Sequence, residues 1–425
     1  MARTLTAKDC HALMNLLVKE ATGQDATIQA VDSSTFVSAG ELVLATGTEN
    51  VLNALSLVLG RTFMAVRPYD AKLALINAIS TREYTHRMRK ISFYSREAQA
   101  SGDWNTQLYT NLADEFTNGQ NISDGSAQST KSMWEQNQPV PLEVNFAGQN
   151  VWQDSTTVYE YQLQQAFRSE AEFGEFVAGI MTERGNDIES QKEAYNRMTL
   201  LNFMAGVYDL NQTGSVVNLT YEFNQEFGTN YTTDQLLSTY IEDFAKFLSA
   251  KIRIDSDRMT NRSVKNHWAP AKEGYALLRH TPKNRQRLFL YDPLMIKTKA
   301  YVFPTLFNPE YLDFSQYEGV QYWQNEVDPS AIKVTPAIPD IAGTNSGAQT
   351  AGSQVSLGYV VGLLFDEDAL MVDYQLERSN TTPLEARKGY RNIWWTFSKN
   401  SINDFTENAI LYYMADPAPT PEPGN

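Results

Sequence analysis

The sequence predicts an α+β protein of two or three subdomains. Its 425 residues exceed the roughly 250–300 at which a single core stops growing. Helical periodicity is confined to a few stretches, and the strand-like runs gather in blocks of their own, mostly after residue 286, instead of alternating with helices. No internal repeat is visible.

In chain order, residues 1–62 read as a helix from about Ala7 to Ala21, a turn containing Ser, Thr and Gly, and a second apolar helix over Asn50 to Leu59 stopped by Gly60. Between Asn77 and Pro141 the pattern turns polar. THRMRKISFYSREAQASGDWN is basic, and QNISDGSAQSTKSMWEQNQPVP is rich in Ser, Gln, Asn and Gly. Such a long polar excursion is usually functional or mobile. Ile91, Phe93 and the run Pro141 to Phe146 alternate as strands do, which suggests a two-stranded flap. VWQDSTTVYEYQLQ at 151–164 favours a strand through its Val, Thr and Tyr content.

A long helix follows over about 169–208. Ser169 and Glu172 form a capping box, and Phe173, Phe176, Val177, Ile180, Ile188, Tyr195, Met198 and Met204 share a broad face. Gly174, Gly179 and Gly185 predict a kink or break within it. A further helix over Asp234 to Ile252, capped by Thr232 or Thr233, buries Leu236, Leu237, Tyr240, Ile241, Phe244 and Leu248. The remaining elements are strand-like: RLFLYDPLMI at 287–296, LGYVVGLLFDEDALMVDY at 357–374 with an acidic turn inside, GYRNIWWTFSK at 389–399 and NAILYYM at 408–414. The tail PAPTPEPGN is expected to be disordered.

Composition narrows the function. A net charge of −15 argues against nucleic-acid or anionic-membrane binding by the whole chain, so any such contact is local. The single cysteine, Cys10, allows no internal disulfide and reads as a free structural thiol, as in a reducing compartment. The N-terminal residues lack the apolar run of a signal peptide, and no stretch has the length of a membrane helix, so synthesis in the cytoplasm is expected. An aromatic share of 12% suits either a large core or surfaces that partners cover.

No catalytic or metal constellation has convincing spacing. P-loop, GxGxxG, HExxH, EF-hand and GxSxG patterns are absent, and His11, His86, His267 and His280 are scattered. Two sets of carboxylates, Asp366, Glu367 and Asp368, and Asp404 with Glu407, leave a carbohydrate-active reading open, although acids in a turn are more often a solvated connection. No catalytic residue, metal or cofactor is therefore assigned.

Charge distribution says more. Residues 251–299 hold twelve Lys or Arg against four acids, whereas 301–343 hold Glu310, Asp313, Glu318, Glu326, Asp328 and Asp340 against Lys333 alone. Neighbouring blocks of opposite sign suit head-to-tail contacts between identical subunits, and equally suit pairing inside one subunit or simple solvation. Non-specific phosphate contact through the basic block is a third reading. The flap is basic too: Arg82, Arg87, Arg89, Lys90 and Arg96 outnumber Glu83 and Glu97. Such a ribbon needs a partner to order it, and an acidic neighbour serves.

The stretch GYVVGLLFDEDALMVDYQLERSNTTPLEARKGYRNIWWTFSKNSINDFTENAILYYM resembles the closing region of tailed-phage major capsid proteins of the HK97-like fold. The matching pieces are an apolar strand running into an acidic turn (Val360 to Leu370), an aromatic strand (Gly389 to Phe397) and an Asn-Asp-Phe run leading into a last strand (Asn403 to Leu411). The resemblance implies an N-terminal arm with its adjoining segment at 1–77 and an extended β-hairpin loop (the E-loop) at 78–145. It further implies a peripheral domain at 146–210 and 380–399 carrying a long spine helix, an axial domain at 211–379 and 400–416, and a Pro-rich tail at 417–425. Departures from the family are the lack of a visible scaffolding segment or cleavage site, and of an assignable Lys–Asn cross-link.

By that resemblance the chain is expected to self-assemble into hexamers and pentamers of an icosahedral shell around double-stranded DNA, in the virion, after assembly in the host cytoplasm. Scaffold, portal and decoration proteins are the expected partners, with non-specific contact to packaged DNA and no membrane. Arg82, Arg87, Arg89, Lys90, Arg96, Glu310, Asp313, Glu318, Glu326 and Asp328 are the expected inter-subunit contacts, and bending in maturation is expected at Gly174, Gly179 and Gly185. An encapsulin-like nanocompartment shell is the alternative on the same fold, and a carbohydrate-binding or hydrolysing protein the alternative outside it.

Overall fold

The computed structural model describes residues 7–22, 30–46, 73, 75–79, 87–95, 139–147, 150–159, 162, 170–270, 275–301, 317–339, 349–383, 385 and 387–416. Among them, helices α1 (Ala7–Thr22) and α2 (Ser33–Ala45) come first, followed by strands β1 (Asn77–Ile79), β2 (Arg87–Phe93), β3 (Pro141–Ala147) and β4 (Asn150–Tyr159). The long helix α3 (Glu170–Leu210), strand β5 (Val216–Asn218) and helices α4 (Leu219–Phe227), α5 (Thr233–Ser238) and α6 (Ile241–Met259) form the middle. The last part runs β6 (Gln286–Tyr291), α7 (Asp292–Tyr301), β7 (Tyr317–Val320), β8 (Ile332–Val334), β9 (Ala337–Pro339), β10 (Gln349–Ala351), β11 (Val355–Leu357), β12 (Tyr359–Asp366), β13 (Leu370–Thr381), β14 (Tyr390–Asn403) and β15 (Ala409–Met414). The class is α+β.

Two sheets organise these elements. The larger has the order β5-β15-β12-β6-β7, with β12 antiparallel to both β15 and β6 and short parallel strands at the edges. Every residue of β12 after Tyr359 is buried, which is why YVVGLLFD is an unbroken apolar run and not an alternating one: the strand is covered on both faces. The pairing with β15 shifts register between Val360 and Gly362, and a side chain at Gly362 would collide with the Phe289 carbonyl oxygen. The second sheet has the order β1-β13-β14-β4, built on the long antiparallel pair β13–β14.

Helix α3 joins the two cores. At 1.5 Å per residue its 41 residues span roughly 60 Å. Its first half sends Phe173 and Ile188 into a small core with Leu13, Met14 and Leu17 of α1, Phe36 of α2 and Ile393, Trp395 and Phe397 of β14. Its second half sends Leu200, Phe203, Met204 and Val207 into the main core under β12, β15 and α6.

Several expectations need correction. Helix α3 runs unbroken through Gly174, Gly179 and Gly185. Gly174 instead lets α1 approach, since a Cβ there would lie 2.9 Å from the Cys10 sulfur. The segment read as a turn near residue 40 is α2, held by a capping box in which the Asp32 carboxylate accepts from the Thr35 amide and the Thr35 hydroxyl accepts from the Asp32 amide. The single helix expected over 234–252 is two: α5, capped by Thr232 and Gln235, ends at Ser238, and α6 starts at Ile241 and continues to Met259. The strand expected over 287–296 stops at Tyr291, because Asp292-Pro293 opens α7, and proline is tolerated in a first helical turn. The apolar helix expected at 50–59 lies outside the described residues.

Candidate intersubunit interface

Strands β2 and β3 form the expected two-stranded ladder, with Arg87 opposite Ala147 and Phe93 opposite Pro141. Period-two alternation gives it two different faces. Lys90 and Ser92 point toward the body of the subunit, and Arg89, Ile91 and Phe93 point away from it. Ile91 and Phe93 are half exposed or more, and Arg89 is paired at 2.9 Å with Glu143.

The inward face is clasped tightly. The Lys90 ammonium contacts both Asp404 and Glu407 in the loop between β14 and β15. Arg279 donates to the Ser92 hydroxyl at 2.7 Å and to the Thr406 carbonyl at 3.0 Å, and lies 3.6 Å from Glu407. Beyond the ladder, Ser95 exchanges two backbone hydrogen bonds with Ala276, Arg262 donates to its hydroxyl at 2.6 Å, and the Tyr94 hydroxyl donates to the Pro270 carbonyl at 2.9 Å.

The loop NDFTEN at 403–408 is thus a hub. Asp404 is buried, and one of its carboxylate oxygens accepts from both the amide and the hydroxyl of Thr406. Phe405 stacks on Phe203 with ring centroids 5.2 Å apart and fills the space over Gly206, where any Cβ would overlap the ring. Trp268 donates its amide to the Phe405 carbonyl at 2.8 Å. Burial pushes the Glu407 carboxyl above the ordinary range, against the opposing pull of Lys90 and Arg279. His267, beside this loop, has its ring nitrogens 2.9 Å from the carbonyls of Lys265 and Leu277, and burial lowers its pKa.

Much of the basic block finds its partners within the chain. Lys251 lies 3.7 Å from Asp255, as does Arg258, whose side chain stays largely in solvent; Lys283 reaches Asp257 at 2.5 Å, and Arg285 and Arg287 hold Asp368 and Glu367 in the turn after β12. Those two acids of the 366–368 triplet are engaged by guanidinium groups, and Asp366 is buried, accepting from the Asp368 amide. Among the described residues no cluster of three or more His, Cys, Asp or Glu could hold a metal, and no helix is long and apolar enough to cross a membrane.

The ten expected contact residues separate accordingly. Arg82, Arg96, Glu310 and Asp313 lie outside the described residues, and Arg87 is placed as the first residue of β2. Lys90 is engaged by Asp404 and Glu407, and Glu318 accepts the amides of Leu73 at 2.6 Å and Leu75 at 3.1 Å, so both act inside the subunit. Arg89, Glu326 and Asp328 are exposed. Sequence reasoning noted Asp404 with Glu407 as a possible acid pair and Lys90 as part of a basic ribbon, but did not join them. It also passed over Arg279, whose only signal was its place in the basic block.

The family model described as Phi29-like phage major capsid protein matches residues 90–413. Among solved structures, the capsid of Staphylococcus phage Andhra is similar at 12% identity over 82% of this chain and 86% of that one, with a TM-score of 0.50. The mature capsid of bacteriophage PhiM1 is similar at 8% identity over 82% and 89%, with a TM-score of 0.42. At such identity the Andhra likeness is one of fold. No curated protein sequence matches significantly.

Proposed function

Because the chain belongs to the Phi29-like phage major capsid protein family, we propose that the outward face of its β2–β3 flap docks onto a neighbouring copy while the inward face stays clasped to its own subunit. The family is structural and non-enzymatic, and its members form the icosahedral shell of tailed, double-stranded DNA phages, so this protein is a component of the virion capsid. Membership sets aside the nanocompartment and carbohydrate-active alternatives.

The observation that carries the reading is the two-faced ladder. Lys90 and Ser92 are fixed by Asp404, Glu407 and Arg279, while Ile91 and Phe93 beside Pro141 leave apolar surface in water. A neighbour that covered this face would add hydrophobic burial with no new ordering cost in the strand, since the clasp has already ordered it. On this reading 1–77 is the arm, 78–145 the extended loop, 146–210 with 380–399 the peripheral domain around α3, and 211–379 with 400–416 the axial domain. Axial domains meet in hexamers and pentamers, the remaining exposed charges Arg89, Glu326 and Asp328 face neighbours, and the inner face touches packaged DNA without reading its bases. Scaffold, portal and decoration proteins complete the expected partners.

Replacing Ile91 and Phe93 together by Asp tests this. The purified chain should keep its circular-dichroism spectrum while shell yield, counted by electron microscopy in the presence of scaffold, falls at least about tenfold. Shells formed at the yield of the unaltered chain would refute the flap assignment.

A further inference from the structure

A second exposed feature lies on the loop between β7 and β8. The loop is rigidly held. Trp323 is buried, donates its indole N–H to the Val360 carbonyl at 2.9 Å, and closes the loop by donating its amide to the Pro329 carbonyl at 2.9 Å. Arg197 of α3 lies over the Tyr322 ring, 3.9 Å from its centroid, and donates to the Trp323 carbonyl at 3.3 Å. Gln324 bonds both backbone groups of Lys333, and the Asn325 side chain accepts the Asp328 amide at 2.8 Å.

All this fixed structure presents a tip, Glu326-Val327-Asp328, in which Val327 is 96% exposed between two exposed carboxylates. A lone valine in water carries no meaning by itself. A rigid apolar knob flanked by two negative charges specifies a complement: an apolar spot beside a positive charge.

Helix α6 offers one. Ile254 is 47% exposed, Ala250 is exposed one turn before it, and Arg258 one turn after it has a side chain 69% exposed. Asp255, the acid nearest Arg258, is itself buried. Knob and helix face are both exposed in one copy, so they do not cover each other there.

We infer that the Glu326-Val327-Asp328 tip of one subunit seats on the Ala250–Ile254–Arg258 face of α6 in the next copy. The two surfaces differ, so the contact is head-to-tail and closes into a ring when the rotation between copies allows. Val327 packs on Ile254, and the flanking carboxylates meet the Arg258 guanidinium. This rests on the self-assembly reading above, with a contact separate from the flap.

The test uses the intact chain, whose only native thiol, Cys10, is buried. Shells of the double variant Val327→Cys with Ile254→Cys, treated with a short bis-maleimide, should give a ladder of covalent oligomers up to capsomer size on a denaturing gel, and neither single variant should. Independently, Glu326→Lys with Asp328→Lys should cut shell yield at least about tenfold, and adding Arg258→Glu should restore most of it. Double-cysteine shells that stay monomeric on the gel, or charge-reversed chains that assemble at unaltered yield, would overturn the contact. If the cysteine pair cross-links while Ile91→Asp with Phe93→Asp assembles normally, the flap assignment falls and this contact stands. The opposite pattern sinks this contact alone.

Discussion

Replacing Lys90 by methionine keeps the length and apolar stem of the side chain and removes only the cation that seats the flap. Two carboxylates lose their shared partner: Asp404, with a side chain 1% exposed, and Glu407, with 12%. Breaking a buried ion pair from one side costs about 3–5 kcal/mol, and the lower end applies because Lys90 is itself a quarter exposed and Arg279 remains 3.6 Å from Glu407. A loss of about 3 kcal/mol in the free energy that holds the hairpin down corresponds to roughly a hundredfold faster opening-limited exchange. Hydrogen exchange of the β2 and β3 amides in the unassembled chain, expressed as protection factors so that the intrinsic pH dependence cancels, reads this directly.

The sign of the pH dependence follows from Glu407. Its folded pKa is raised by burial and Lys90 is one of the groups holding it down, so removing Lys90 raises it further. A raised carboxyl penalises the folded state at pH above its folded pKa, and the penalty fades as pH falls through that value toward the unfolded one. The deficit of K90M relative to the unaltered chain should therefore be largest near neutral pH and shrink toward the ordinary carboxyl range. A change below about 1 kcal/mol, or an equal deficit at neutral and acid pH, would refute the clasp as the flap's anchor.

Two further substitutions probe the main core. Phe405→Ala empties the site between Phe203 and Gly206 while leaving the Trp268-to-carbonyl hydrogen bond available, and should lower stability by about 3–5 kcal/mol in urea unfolding; a loss under about 1 kcal/mol would mean the ring is not the wedge described. Tyr412→Phe removes the hydroxyl that donates to buried Asp255 at 3.1 Å and should cost about 1.5–3 kcal/mol at neutral pH. Burial raises the Asp255 pKa and the tyrosine hydrogen bond opposes that rise, so the Y412F deficit should diminish as pH falls and Asp255 is protonated, measured as the urea midpoint across that range.

Legibility in the sequence tracked the range of the interaction. The apolar run of β12, the acidic turn after it, the aromatic strand β14 and the long helix α3 all announce themselves in residue types within a short stretch, and all were readable. Helix α2 was equally local, with Asp32 and Thr35 forming its cap and Phe36, Ala39 and Val43 its buried stripe, but its Ser, Thr and Gly content suggested a turn. The glycines of α3 had two meanings that sequence could not separate. Gly174 relieves crowding against α1, a partner more than 160 residues away in the chain, and does not break the helix. The hub lay furthest from reach. Lys90 and Asp404 are separated by 314 positions, and the sequence put them in different readings, Lys90 in a basic ribbon and Asp404 in an acid pair with Glu407.

The internal use of the basic block changes how assembly must work. With Arg279, Lys283, Arg285 and Arg287 all engaged by acids of the same chain, those four cations of the block are taken up inside the subunit. Each copy nevertheless carries a formal charge of −15, so copies repel as they approach. At physiological ionic strength that repulsion is screened beyond about 8 Å, which leaves close contacts to decide whether subunits associate. On the proposed reading, attraction then comes from small patches of exposed apolar surface. On that reading the outer face of the flap, with Ile91 and Phe93 exposed, is an apolar patch of this kind, and the Val327 tip adds two carboxylates to its own. Added salt weakens the ionic part of these contacts and also the repulsion between whole subunits. Shell yield should therefore pass through a maximum as salt is raised, since contacts built on one large charged face would only weaken.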